Sequence, residues 1–63
     1  MNYPKALMSV SELTKLGFSK ADLYRAIHHR MAYKYIQATK GNGKFLFDTE
    51  QWEKCRKYVL RRD

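Results

Sequence analysis

Apolar positions along the chain follow two rhythms, one helical and one strand-like. The helical stretches all open on the same local signal. Ser9-Val10-Ser11-Glu12 has the form of a capping box, in which a hydroxyl accepts the third amide of a helix and a glutamate reaches back to the cap amide. Met8 and Leu13 flank it at the hydrophobic-staple positions. Ser19-Lys20-Ala21-Asp22 repeats the device with Phe18 and Leu23, and Asp48-Thr49-Glu50-Gln51 repeats it with Phe47 and Trp52. These start signals predict three helices.

The first helix is expected over about Val10–Leu16, with Val10, Leu13 and Leu16 on one face. Gly17 follows at a position where a left-handed backbone suits glycine. The second is expected over about Lys20–Arg30. Leu23, Ile27 and Ala26 form its buried stripe, and Lys20, Tyr24, Arg25 and His28 lie on the other side. The rhythm then changes. Tyr33 to Thr39 is rich in aromatic and β-branched residues, Lys40-Gly41-Asn42-Gly43-Lys44 is a turn signal, and Phe45-Leu46-Phe47 is a short return strand. The pair predicts a β-hairpin whose strand face carries Tyr33 and Tyr35. Asp48 opens the last helix, with Trp52, Cys55 and Val59 on its inner face. Residues 1–7, including Tyr3-Pro4-Lys5, read as a loose N-terminal arm. The fold class is therefore α+β, one small domain over residues 1–63, in the order helix, turn, helix, β-hairpin, helix.

Composition narrows what such a domain can do. The 63 residues carry 13 Lys+Arg against 6 Asp+Glu, a formal charge of +7. Such a field favours nucleic acid, an anionic membrane or an acidic protein as partner. The mean hydropathy of -0.70 and the lack of a long apolar run exclude a transmembrane helix. No signal peptide is visible, and the chain is expected to be cytoplasmic. A single cysteine, Cys55, rules out an internal disulfide and a cysteine-rich zinc site. A chain this short has little room for a catalytic cleft beside its core, and no catalytic constellation is present. The expectation is no enzyme, no cofactor and no metal. His28 and His29, adjacent on a helix, point about 100° apart and cannot share an ion well. Glu50 and Glu53 read as solvated helix charges, and Cys55 as a small core residue.

The candidate chemistry lies at Leu16-Gly17-Phe18-Ser19, where two helices meet at a short glycine-containing turn. This is the pattern of a helix-turn-helix, whose second helix enters the major groove. Lys20, Tyr24, Arg25 and His28 would face the groove. Arg25 is the base-reading candidate, because its fork matches O6 and N7 of guanine. Ser19 and the free amides beside it suit a phosphate. The same junction can equally be a corner that only builds the core. Lys40, Asn42 and Lys44 at the hairpin tip suit the DNA backbone or a minor groove, and equally serve solubility. Tyr33 and Tyr35 can stack on bases, form a partner patch or pack against the last helix.

The segments SVSELTKLGFSKADLYRAI and GKFLFDTEQWEK, in this order, resemble the winged helix-turn-helix of the MerR and phage-excisionase superfamily over Ser9 to about Tyr58. The carrying residues are Glu12, Gly17-Phe18-Ser19, Leu23-Tyr24-Arg25 and Phe47-Asp48. The spacing from Glu12 to Gly17 is one residue shorter than in that pattern, and Arg30-Met31-Ala32 stands where a glycine is usual. The resemblance implies duplex-DNA contacts from Lys20, Tyr24, Arg25 and His28 and wing contacts near Lys40–Lys44. It implies an excisionase-like directionality factor or a small phage or mobile-element transcriptional regulator, monomeric in solution and associating on DNA. The alternative is a protein-interaction module of the same fold that binds an integrase or a repressor protein.

Overall fold

The computed structural model describes residues 2–38 and 45–61. They form a small α+β domain: β1 (Leu7–Ser9), α1 (Val10–Lys15), α2 (Lys20–Ile27), a 3-10 turn at Ala32–Lys34, β2 (Ile36–Ala38), β3 (Phe45–Asp48) and α3 (Thr49–Val59). The three strands make one antiparallel sheet in the order β1-β3-β2.

Each helix begins at the residue whose side chain caps it. Ser9 accepts from the Glu12 amide at 3.2 Å, and Glu12 accepts from the Ser9 amide at 3.1 Å, closing the box in both directions. Ser19 accepts from the Asp22 amide, and Asp48 from the Gln51 amide. The end of α1 is a Schellman motif. The Phe18 amide donates to the Leu13 carbonyl at 3.3 Å and the Gly17 amide to Thr14 at 3.0 Å. Gly17 sits at φ +111°, a backbone conformation that side chains disfavour, so the chain turns sharply into α2.

Packing follows the helical stripes with adjustments. Leu13, Leu23, Ala26, Trp52, Cys55 and Val59 are buried, joined by Met8, Tyr35 and Phe47. Ile27 is only partly buried, and Ala26 takes the deeper place. The staple pair Phe47 and Trp52 meets edge to face at 5.1 Å.

Several expectations are corrected. α2 ends at Ile27 and not Arg30, and α1 ends at Lys15. Residues 33–35 are not strand. The chain makes a 3-10 turn there, so Tyr33 and Tyr35 do not share a face: Tyr33 is 77% exposed and Tyr35 is 1% exposed. The Tyr35 hydroxyl donates to the Ala26 carbonyl at 2.6 Å, and burial pushes its pKa up to about 12, so it stays a donor. The N-terminal residues 2–7 are not a loose arm. Leu7 begins β1, which pairs with β3 in the register Met8↔Phe47. Thr49 donates its hydroxyl to the Lys5 carbonyl at 2.9 Å and its amide to Ala6 at 2.9 Å, and Tyr3 stacks on Phe18.

Two predictions follow from this geometry. In Gly17→Ala the added methyl meets nothing within 4 Å, so only backbone strain opposes it. The expected loss is about 1–3 kcal/mol, read as a lower urea midpoint at unchanged slope. Second, Lys5 donates to the Glu12 carboxylate and the Ser9 amide supports it, which lowers the Glu12 pKa below the ordinary 4.5. A depressed folded-state pKa adds stability that is full above the unfolded value and is lost as pH falls through the folded one. Stability should therefore fall as pH drops below about 4.5, and Glu12→Gln should flatten that fall in thermal melts across pH.

Candidate nucleic-acid interface

The second helix presents one face outward because its stripe is anchored inward. Leu23 and Ala26 are fully buried, and Tyr35 holds the Ala26 carbonyl from below. The 3.6-residue period then sends Lys20, Ala21, Tyr24, Arg25 and His28 to solvent, and all five are exposed. Lys20 Nζ lies 5.9 Å from the centre of the Tyr24 ring, a cation–π approach that joins the two side chains into one surface. Ser19, also exposed, caps the helix at the edge of this face. The structure thus brings together Ser19, Lys20, Tyr24, Arg25 and His28. Lys40, Asn42 and Lys44 lie outside the described residues.

Among the described residues Lys5 pairs with Glu12, Lys54 with Glu50 at 3.7 Å, and Arg56 with Glu53 at 2.8 Å. None of these pairs involves a residue of α2. Arg56 also stacks over Phe18 at 5.5 Å, and Glu53 accepts from the Tyr3 hydroxyl at 3.5 Å, so that cluster braces the N-terminal segment.

A shallow, largely apolar cleft borders the exposed face, lined by Tyr24, Arg25, His28, His29 and Val59. It joins α2 to the C-terminal half of α3. Comparison with protein-family models, with curated proteins and with solved structures finds no match. The site is therefore read from its own chemistry. It offers an arginine fork, a lysine, an imidazole and a phenol on a convex helix, a set that suits anions and the polar edges of bases. No group of three or more His, Cys, Asp or Glu among the described residues could hold a metal ion. No helix among them is long and apolar enough to cross a membrane. Cys55 is buried on the inner face of α3.

Sequence reasoning did not connect His29 and Val59 with this face, yet both line the cleft that borders it. Their signal is spatial: Val59 lies 30 positions along from His29, on another helix.

The capping role of Ser19 predicts a small stability effect. Its hydroxyl accepts from the Asp22 amide at 3.5 Å, at the long limit of a hydrogen bond. Ser19→Ala should cost about 0.5 kcal/mol, the low end for an N-cap. A chemical-denaturation midpoint checks it.

Proposed function

We propose that this chain is a sequence-specific binder of double-stranded DNA, with α2 as its recognition helix in the major groove. The observation that carries the reading is the exposed set Lys20, Tyr24, Arg25 and His28 on a helix whose opposite face is fixed by Leu23 and Ala26. The formal charge of +7 supports it, because phosphate attraction supplies the sequence-independent share of affinity.

In this reading the domain is a winged helix-turn-helix. The α1–α2 junction is the turn, and the β2–β3 pair is the wing, with Lys40, Asn42 and Lys44 toward the backbone or minor groove. Arg25 reads a guanine, Lys20 and Ser19 meet phosphates, and Tyr24 and His28 contact base edges or methyl groups. Such a domain acts by occupying or shaping DNA and by directing other proteins. An excisionase-like directionality factor or a small regulator of a phage or mobile element fits that role, working in the cytoplasm. A second reading rests on Tyr33 and Tyr58, which are 77% and 65% exposed: the same domain docking an integrase or a repressor protein.

Selection from random duplexes at two salt concentrations tests the first reading. It expects an enriched motif that survives the higher salt. Uniform binding that vanishes with salt would reduce the protein to a basic surface. Against the selected site, Arg25→Ala should weaken binding by about 1–3 kcal/mol and relax the preference at one position. Wild-type affinity and selectivity in that variant would remove Arg25 as a base reader.

A further inference from the structure

A second recess opens beyond the end of α2. His29, Arg30 and Lys34 line it from the connection between α2 and β2, and Tyr58 and Arg61 line it from the end of α3. Arg30, Lys34 and Arg61 carry positive charge, and among the described residues no carboxylate takes part in the lining. His29 adds an oriented donor. The Met31 amide donates to His29 Nδ1 at 3.1 Å, so in the neutral ring that nitrogen carries no hydrogen and Nε2 does. Two guanidinium forks, an ammonium and an imidazole N–H form a donor-only set of the kind that matches phosphate oxygens. No donor-rich or apolar ligand makes use of it.

Position decides which phosphate. His29 and Val59 line both this recess and the cleft beside Tyr24, Arg25 and His28, so the two are continuous. A duplex lying on the exposed face of α2 would run into the recess at the helix's C-terminal end. The eight residues of α2 span roughly 12 Å, about the width of a B-form major groove. Contacts at its two ends therefore reach the sugar-phosphate chains on both sides of the groove.

We infer that the recess lined by His29, Arg30, Lys34 and Arg61 is a phosphodiester-binding site, which takes the backbone of the same duplex that α2 reads. The inference rests on the DNA reading of α2 and adds a second, sequence-independent anchor to it. Arg25 and its neighbours choose the site, and the recess fixes how α2 lies in it.

The test is salt-dependent binding to the selected duplex by wild type and by the double variant Arg30→Gln/Lys34→Gln. Both residues are exposed, and glutamine keeps most of each apolar stem. Circular dichroism and the thermal midpoint confirm that the variant is folded. The slope of log affinity against log salt should become shallower by about 1.8, the equivalent of two phosphate contacts. Affinity should fall alike on all sequences, with the selected motif unchanged. A wild-type slope in the double variant overturns the recess while leaving the reading of α2 intact. An equal change from the control pair Lys15→Gln/Lys54→Gln, exposed on α1 and α3, overturns it too, because only general charge would then be at work. Absence of duplex binding by wild type overturns the reading of α2 and the recess with it.

Discussion

The side chain of Trp52 is the point on which this small domain turns. It is fully buried, and three rings meet it edge-on: Phe18 at 5.8 Å, Tyr35 at 5.1 Å and Phe47 at 5.1 Å. Those rings come from the α1–α2 turn, the α2–β2 connection and β3, so one indole gathers every layer of the fold. Burying a tryptophan removes on the order of 150–250 Å² from water, worth roughly 4–6 kcal/mol. The cost is its Nε1–H, buried without a hydrogen-bond partner among the described residues. An unmet donor costs about 1–3 kcal/mol, so the packing term wins. No aromatic residue of α2 enters the cluster. That helix is positioned at one remove, by Leu23 and Ala26 against the core and by the Tyr35 hydroxyl on the Ala26 carbonyl. Its outer face is thereby left with no structural duty.

What could be read along the chain was whatever is local. Ser9, Ser19 and Asp48 each cap a helix because the capping hydrogen bond spans three residues, a spacing visible in any sequence. Gly17 announces its turn for the same reason, and the outward set Lys20, Tyr24, Arg25 and His28 follows from helical period alone. The misreadings were where distant contacts decide. β1 is three residues long and exists because Met8 can pair with Phe47, about 40 positions away. Lys5 and Ala6 are held by Thr49 and Tyr3 by Phe18, which nothing in Tyr3-Pro4-Lys5 foretells. Tyr33-Lys34-Tyr35 alternates like a strand, yet Tyr35 must reach both Trp52 and the Ala26 carbonyl. A 3-10 turn supplies that reach and throws Tyr33 outward. The recess at His29 was illegible for the same reason, since Tyr58 and Arg61 come to it from the far end of the chain.

The shortness of α2 would couple any binding on its outer face to folding. An isolated helix below about 12 residues is marginal in water, and α2 has eight. It exists because Ser19 caps it, Gly17 aims it and Tyr35 holds its end. A ligand gripping the exposed face must find that face already formed, so its binding energy is linked to the folded state and raises the stability of the whole domain by mass action. The converse also holds. Loosening Tyr35 or Trp52, neither of which is on the exposed face, would lower affinity by reducing the fraction of molecules in which α2 is presented. With one core holding the helix, affinity and stability therefore share the same small set of buried rings.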